Sequence, residues 1–479
     1  MKRTIIIFVS ALLLSSCNWL LDLEPESSLT AGDFWKNGSD VENGLVATYW
    51  SLSKSLRTGV WDWGELRGGN YEGDQVNGND QYDIIYNLIT STNSAALWTN
   101  LYQTIARANL VLKYAPDANM QPAEKNRSLS EAYAIRALCY FYIVRVWGDA
   151  PLFTEPVEQY SPDEVFRERT PKDVLLRQVL SDLEDAETYA QPVSGDSFKR
   201  SRINIMGIYA IMTDVHAWMH DYDKVLAVAE KIDALAPPGS TTAKWQLLDV
   251  VPGASQDVFT AQWKEIFAKV EKDAELSSVN KERIFYLHYD ELENGTNGNA
   301  TYFCTGVCKA TPSDRLYNSF EAADKRKAAT FRTSYGVRKI AMKFWPADAK
   351  FGSGGLVSDG DIILYRMSDI VLLRAEAYAA NGQFAEAVAE LNKIRTRSGL
   401  AAYTENSFLT SEELILAILK ERMVEFVGEG KYWFDLLRTG HAADIGGITN
   451  PQKWLFPISK THMDENHKLT QNPGYGTGE

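Results

Sequence analysis

Two stretches of the chain combine large aromatic side chains with amides, carboxylates and glycines: residues 57–94 and residues 285–303. A sugar ring has an apolar C–H face and a rim of hydroxyl groups, so a flat indole or phenol ring can cover the face while polar side chains bind the rim. Both stretches are therefore candidate sugar-binding surfaces. The alternative is that their aromatic rings only fix irregular segments to the protein body, which is equally expected for any single residue.

The candidate ligand contacts are aromatic and polar side chains of these two stretches. They are Trp61, Trp63, Arg67, Asn70, Tyr71, Asp74, Asn77 and Tyr82 in the first stretch, and Tyr286, Tyr289 and Tyr302 in the second. We expect at least one of Trp61 and Trp63 to stack on a sugar. Replacing both by alanine should then weaken oligosaccharide binding and leave the melting temperature nearly unchanged.

Other reactive side chains lack the partners that catalysis or metal binding needs. His216 and His220 are four residues apart, but no Glu stands between them to act as the base of a zinc hydrolase, so structural histidines are the better interpretation. The oxygen ligands of residues 74–83 do not follow the order of an EF-hand loop. The sequence also lacks the G-x-S-x-G and P-loop motifs. We predict a binding protein without catalytic residues, metal or cofactor.

Three glutamates, Glu421, Glu425 and Glu429, recur every four residues in a predicted helix near the C-terminus. Residues four apart lie on the same face of a helix. The available partners are Arg395, Arg397, Arg422 and Arg438. We predict a structural network of ion pairs that holds the C-terminal helices together, in preference to a catalytic pair of carboxyl groups.

Helical hairpins are predicted to position the candidate surfaces. In residues 361–400, apolar residues recur at a period near 3.6 on both sides of Asn381-Gly382, which predicts two amphipathic helices joined by a tight turn. Small residues such as Ala375 and Ala387 have the spacing of a tetratricopeptide-type hairpin. One such hairpin cannot bury its apolar face alone. Further helical patterns at about 40–56, 95–114 and 130–147, and a pair broken near His220, predict a stack of helical pairs.

The charge balance and the N-terminus restrict the partners. A net charge of −14 argues against a nucleic-acid partner, because binding phosphates requires clustered basic residues. Lys2-Arg3 and a short apolar run precede Leu14-Ser15-Ser16-Cys17, which resembles a bacterial lipobox. We predict a signal peptide at 1–16 and a lipid-anchored Cys17 with a tether at 17–35; a plain secretory signal is the alternative.

Cys304 and Cys308 are close together in the sequence. We expect them to form a local disulfide, with two free thiols as the alternative.

Several longer motifs carry a family resemblance. They are Tyr365-Arg366 followed by LLRAEAYAANGQFAEAVAELNKIRTRSGL, Glu421-Arg422 followed by EFVGEGKYWFDLLRTG, LFPIS at 455–459, QNPGY at 471–475, and, nearer the start, LDLEP, TAGDFW and Arg136-Ala137-Leu138 with CYFYIVRVWGDAPL. Together these motifs extend over almost the whole chain. They resemble the SusD/RagB family of surface glycan-binding lipoproteins.

The resemblance implies a mainly α fold, in which about four tetratricopeptide-like helical pairs form a scaffold and loop-rich, short-strand insertions build the ligand surface. It implies an N-terminal helical region at 36–238 that contains the 57–94 insertion, a loop-rich insertion at 239–360 and a C-terminal helical region at 361–479. It also implies a lipoprotein of the outer membrane surface that captures polysaccharide or oligosaccharide for a SusC-like TonB-dependent transporter. The alternatives are capture of peptides or glycopeptides and, less expected, a lipid-anchored glycan hydrolase.

Overall fold

The computed structural model describes residues 34–73, 80–191, 201–236, 245–248, 250, 253–268, 281–289, 302–303, 309–334, 337–340, 343, 351–352, 355–356 and 360–476. Its helices are α1 Gly38–Gly64, α2 Asp80–Ile85, α3 Thr99–Tyr114, α4 Pro122–Trp147, α5 Pro162–Val165, α6 Lys172–Tyr189, α7 Ile205–Trp218, α8 Tyr222–Leu235, α9 Gln256–Phe267, α10 Asp314–Asn318, α11 Lys325–Thr330, α12 Met367–Ala380, α13 Phe384–Arg397, α14 Ser411–Glu425, α15 Tyr432–Arg438 and α16 Lys460–Glu465. None of the helices in these ranges combines the length and apolarity needed to cross a bilayer.

The long helices pack in four pairs, α1 with α3, α4 with α6, α7 with α8 and α12 with α13. Neighbouring pairs are in contact through α3 and α4, through α6 and α7, and through α8 and α12, while α14 packs on α12. Each pair buries its apolar face against the next, which is how helical repeats form a continuous core. The predicted mainly α fold of about four stacked pairs is confirmed.

The turn between α12 and α13 forms at Asn381-Gly382, as the sequence predicts. Gly382 has φ +74°, a conformation that residues with a Cβ rarely adopt, and the backbone N–H of Gln383 donates to the carbonyl of Tyr378 at 2.8 Å. The small side chains Ala375 and Ala387 are fully buried between the helices. Their size lets the two helices approach closely.

The strands form four two-stranded antiparallel sheets within the described residues. The strands are β1 Tyr71–Glu72, β2 Arg283–Leu287, β3 Thr311–Pro312, β4 Arg332–Ser334, β5 Val337–Lys339, β6 Phe351–Gly352, β7 Gly355–Leu356 and β8 Ile362–Arg366. The pairs are β1 with β3, β2 with β8, β4 with β5 and β6 with β7. The first two of these sheets join segments that are far apart in the sequence: β1–β3 joins the two insertions to each other, and β2–β8 joins the second insertion to the strand directly before α12.

Helix α1 is two turns longer than its predicted end at Leu56, because it continues to Gly64. Glycine reduces helix propensity, so Gly59 and Gly64 favoured a loop at this point of the sequence. In the fold both positions require glycine for close packing. A Cβ on Gly59 would lie 2.6 Å from the Trp63 ring, and one on Gly64 would lie 2.0 Å from the carbonyl oxygen of Gly430.

A network of buried ion pairs joins the C-terminal helices. Arg366 lies 2.7 Å from Glu282, 2.6 Å from Glu425 and 2.8 Å from Glu429, and Arg397 contacts Glu282 and Glu425 as well. Further buried pairs are Arg326–Glu421, Arg395–Glu421, Arg422–Asp369, Arg422–Asp435 and Arg438–Glu376. Buried charges are tolerated when they are paired and hydrogen-bonded. The predicted structural network is confirmed for Arg395 and Arg397, which contact Glu421 and Glu425. Arg422 and Arg438 pair with other carboxylates instead, and Glu429 lies beyond the end of α14.

Candidate functional site

The indole rings of Trp61 and Trp63 lie in the core near the C-terminal end of α1. Trp61 is 1% exposed and Trp63 is 4% exposed. The Nε1 atom of Trp61 donates to the carbonyl of Gly428 at 2.9 Å, and that of Trp63 donates to the carbonyl of Ala95 at 2.9 Å. The Trp61 ring also packs against Tyr302, with 5.1 Å between ring centroids. This placement corrects the expectation that either indole is presented to solvent as a sugar platform.

Arg67 is also buried, where it fixes the C-terminal segment. Its Nη1 donates to the carbonyl of Trp454 at 2.6 Å, its Nη2 donates to the carbonyl of Lys453, and its Nε donates to Oδ1 of Asn87 at 3.1 Å. The guanidinium lies 4.3 Å from the centroid of the Trp433 ring. Burial lowers the pKa of Arg67 to about 10. All of its donors serve the fold, which corrects the expectation of an exposed ligand contact.

Asn70 and Tyr71 are buried at the start of the first small sheet. The Tyr71 hydroxyl donates to Oε1 of Glu65 at 2.6 Å, and the backbone carbonyl of Asn70 accepts from the N–H of Ser313 at 2.9 Å. The same Glu65 carboxylate accepts the N–H groups of the turn at residues 428–430. Both candidate residues therefore hold the segment in place beneath the surface.

The three tyrosines of the second stretch, Tyr286, Tyr289 and Tyr302, are buried too. The Tyr289 hydroxyl donates to the carbonyl of Ser53 at 2.7 Å, and the Tyr302 hydroxyl donates to Oδ1 of Asp62 at 2.6 Å. Burial and the neighbouring Asp62 charge raise the pKa of Tyr302. Most of the predicted aromatic contacts thus follow the alternative interpretation, in which aromatic rings fix insertions to the body.

The two stretches nevertheless meet at one place. Tyr71 of β1 lies opposite Pro312 of β3, which is nine residues beyond the end of the second stretch. Gln81 of α2 donates to the Tyr302 hydroxyl at 3.1 Å and accepts from Nζ of Lys309 at 2.9 Å. A surface that these segments present to solvent is therefore built from both stretches.

That surface is carried by α2 and the residues after it. The rings of Tyr82 and Tyr86 are in contact, with centroids 4.5 Å apart and planes inclined at 49°. Tyr82 is partly buried, Tyr86 is 44% exposed and Leu88 is 55% exposed. We call these three residues the Tyr82–Tyr86 surface. Its exposed phenol ring has the flat shape that the apolar face of a sugar requires.

Polar groups lie beside these rings. Asp83 is partly buried, and burial followed by the nearby Asp80 charge raises its pKa. Asp80 itself accepts the N–H of Ser94 at 3.1 Å, which connects α2 to the segment leading into α3. Asn87 follows the helix in a left-handed conformation, with φ +58°. Carboxylate and amide groups next to an aromatic ring can bind sugar hydroxyls.

Tyr86 was missing from the predicted contacts, although the sequence contains a signal for it. In residues 81–89 the buried residues are Gln81, Ile84, Ile85 and Ile89, and the two tyrosines are four residues apart. A helical period over this short segment places Tyr82 and Tyr86 together on another face. The glycine-rich and asparagine-rich residues before it concealed the helix.

Several predicted features lie outside the described residues: Asp74, Asn77, Cys17, Cys304 and Cys308. The remaining cysteine, Cys139, is buried in α4, and burial raises the pKa of its thiol.

The two candidate histidines have separate surroundings. Nε2 of His220 lies 2.7 Å from the carbonyl of Arg438, and Nδ1 of His216 lies 3.8 Å from Oδ2 of Asp221. Across the ranges that the structure describes, no three His, Cys, Asp or Glu side chains are grouped as a metal site requires.

Stacked helical pairs, with connecting segments that carry an exposed aromatic surface, define a helical-repeat binding scaffold. Two family models match the chain, the SusD family over residues 297–448 and a family described as starch-binding associating with outer membrane over residues 21–215. The chain belongs to the SusD/RagB family, as its motifs indicate. The second description associates this family with the outer membrane.

One known relative is similar to almost the whole chain, and a second is similar to about a third of it. SusD-like protein P38 of Formosa agariphila is 29% identical over 98% of this chain and 98% of its own length. The starch-binding protein SusD of Bacteroides thetaiotaomicron is 28% identical over 35% of this chain and 32% of its own length. Among solved structures, a laminarin binding SusD-like protein is 23% identical, has a TM-score of 0.76 and covers 92% of this chain and 100% of its own. At 23% identity, this similarity shows only that the two proteins share a fold.

Proposed function

We propose that this protein captures neutral polysaccharide or oligosaccharide without catalysis, and that the Tyr82–Tyr86 surface contacts the sugar. The observation that carries the proposal is the exposed Tyr86 ring, which contacts Tyr82, the residue next to the Gln81 that joins the two insertions. Membership in a family with a starch-binding description supports the same conclusion. Starch and laminarin, which two similar proteins are named for binding, are the first ligands to test.

The test is isothermal titration calorimetry of the chain from Asn18 onwards with laminarin and soluble starch, followed by a wider glycan panel. Tyr86→Ala should weaken binding by roughly threefold to tenfold, because a stacked ring contributes about 0.5–1.5 kcal/mol beyond its buried area. Its melting temperature should stay within about 2 °C of the wild-type value, since the ring is half exposed.

Trp50→Ala is the matched control. Trp50 is 50% exposed on α1, three helical turns before Asp62, and Nζ of Lys54 lies 5.7 Å from the centroid of its ring. We expect its affinity to equal that of the wild type. Loss of binding in Trp50→Ala with normal binding in Tyr86→Ala would move the site to α1. Release of reducing sugar during the titration would contradict the binding-only function.

We further propose that Cys17 is the lipid-anchored residue and that the captured glycan passes to a TonB-dependent transporter. The motif ending at Cys17 and the outer-membrane description of the family support this proposal. Mass spectrometry of the membrane-extracted protein should find an acylated N-terminal Cys17, and Cys17→Ala should release the chain from membranes. An unmodified Cys17 in the membrane fraction would contradict the anchor.

Purification of the anchored chain should recover a TonB-dependent transporter. Absence of a transporter from the purified material would contradict the delivery step.

A further inference from the structure

A buried polar cluster lies directly beneath the Tyr82–Tyr86 surface. Asp62 of α1 accepts the Tyr302 hydroxyl at 2.6 Å and Nε2 of Gln81 at 3.3 Å, both on Oδ1. Gln81 also donates to the Tyr302 hydroxyl at 3.1 Å and accepts from Nζ of Lys309 at 2.9 Å. One carboxylate of the helical scaffold is thus bonded to both insertions.

Helix α2 depends on such contacts for its position. It has six residues, too few for a helix to be stable by itself. Its buried residues are Gln81, Ile84 and Ile85, and only Gln81 has a side chain that makes directional bonds. Because Gln81 immediately precedes Tyr82, bonds that fix Gln81 also fix the backbone that carries the exposed rings.

We propose that Asp62 is a positioning residue for glycan binding: with Tyr302 and Gln81 it holds α2 in the orientation that presents the Tyr82–Tyr86 surface. This inference rests on the proposed function for its ligand, although its geometric part can be tested without one. Asp62 does not touch the sugar. It acts through Gln81, which is buried below the rings.

The charge of Asp62 gives the proposal a pH signature. Burial raises its pKa to about 6, while Tyr302, Gln81 and Lys309 oppose the shift and the Asp80 charge adds to it. The ionised carboxylate accepts two hydrogen bonds, and bonds to a charged acceptor are about twice as strong as neutral ones. The bonds from Tyr302 and Gln81 lower the pKa of Asp62, so a conformation in which Asp62 stays covered on α1 but has lost these bonds holds its proton more tightly. Protonation therefore favours release of α2, and affinity should fall as the pH drops below about 6. Global unfolding exposes Asp62 and responds to pH in the opposite direction, because the pKa of the folded protein is the raised one.

Two variants and one matched control separate positioning from general destabilisation. Tyr302→Phe removes the hydroxyl that donates to Asp62. Asp62→Asn replaces the carboxyl group by an amide that does not ionise. Tyr49→Phe is the control, since its hydroxyl makes the same 2.6 Å bond to the buried carboxylate of Glu131 between α1 and α4. If loss of a buried tyrosine–carboxylate bond acted only through global stability, all of these variants would behave alike.

The first measurement is hydrogen exchange of the peptide covering residues 80–85, followed by mass spectrometry at one labelling pH. Exchange should be roughly tenfold faster in Tyr302→Phe and Asp62→Asn, and unchanged in Tyr49→Phe, because only the first two release α2. Equal protection of this peptide in all variants would overturn the proposal, whether or not the protein binds glycans.

The second measurement is laminarin affinity between about pH 5 and pH 8, with soluble starch as the probe if the wild type binds starch alone. Wild-type affinity should fall by roughly threefold to tenfold at the acidic end, and Asp62→Asn should be uniformly weak over the same range. A wild-type affinity that does not change with pH would contradict the role of Asp62. So would an affinity of Asp62→Asn that changes with pH as in the wild type. A wild type that binds no glycan at any pH would contradict the proposed function instead.

Discussion

Two segments of residues 57–97, a first half at 57–73 and a second half at 80–97, both contain aromatic residues, but the rings are buried in the first half and partly exposed in the second. In the first half, residues 57–73, the aromatic rings of Trp61, Trp63 and Tyr71 are buried with their polar atoms bonded. In the second half, residues 80–97, Tyr86, Leu88 and Leu97 are exposed. Both halves mix aromatic residues with Asn and Asp, and glycine occurs only in the first. The shared aromatic, Asn and Asp content therefore does not distinguish rings that pack from rings available for stacking.

The helical scaffold makes the difference. The first half continues α1 and meets the turn at residues 428–430, where Glu65 accepts the N–H groups of Gly428 at 2.8 Å and Gly430 at 2.9 Å. The second half begins with a short helix that buries only Gln81, Ile84 and Ile85. We infer that loss of the buried rings of the first half acts on folding and that loss of the exposed Tyr86 ring of the second half acts on binding, while Asp62 connects the two halves through Gln81.

The largest expected effect is the loss of the buried indoles. Trp61→Ala and Trp63→Ala should each reduce the free energy of unfolding by about 3–5 kcal/mol, because each removes a fully packed ring and leaves a cavity. The sequence predicts a nearly unchanged melting temperature, and the buried position of both rings corrects that prediction. Chemical denaturation measures the loss of unfolding free energy. A cost below about 1 kcal/mol for either variant would contradict the core position of that ring.

The next effect depends on pH and involves Glu65. Burial raises the pKa of Glu65 to about 7 from its ordinary 4.5, with bonds from Tyr71, Gly428 and Gly430 opposing the shift. The folded state therefore keeps a proton that the unfolded chain releases, and the stability from this group, present below pH 4.5, is lost as the pH rises towards 7. The loss amounts to about 3 kcal/mol.

Denaturation of the wild type and Glu65→Gln across this pH range isolates the contribution. The wild type should lose stability relative to the variant as the pH rises, and the difference should become constant above about pH 7.5. A difference that is constant at every pH would mean that Glu65 titrates normally in the folded protein.

A smaller effect is expected at Gly64. A Cβ at this position would meet the backbone oxygen of Gly430 at 2.0 Å, so Gly64→Ala must move the turn at residues 428–430. We expect a loss of about 2 kcal/mol in unfolding free energy, since overpacking outweighs the gain in helix propensity. Unchanged stability would show that the turn moves at little cost.

Periodicity and motifs made the scaffold predictable, whereas the site depended on tertiary contacts. The α12–α13 hairpin has a clear 3.6-residue period and an Asn-Gly turn, and both are local signals. The burial of Tyr302 depends on Asp62, which is 240 residues away, and that of Trp61 on Gly428, which is 367 residues away. Such contacts leave no local pattern in the sequence. The two stretches could be identified from composition, but neither their contact nor the choice between Trp63 and Tyr86 could.

The smallest expected effect comes from the Tyr86 hydroxyl, and it sharpens the assignment of the exposed half. Within the described residues this hydroxyl accepts a long hydrogen bond, from the N–H of Gly73 at 3.4 Å, so Tyr86→Phe should change the unfolding free energy by less than about 0.5 kcal/mol. If the ring face stacks on the sugar, Tyr86→Phe should also bind glycan like the wild type while Tyr86→Ala does not. Equal losses in both variants, measured by calorimetry, would assign recognition to the hydroxyl, because phenylalanine keeps the stacking face and removes only the hydrogen-bonding group.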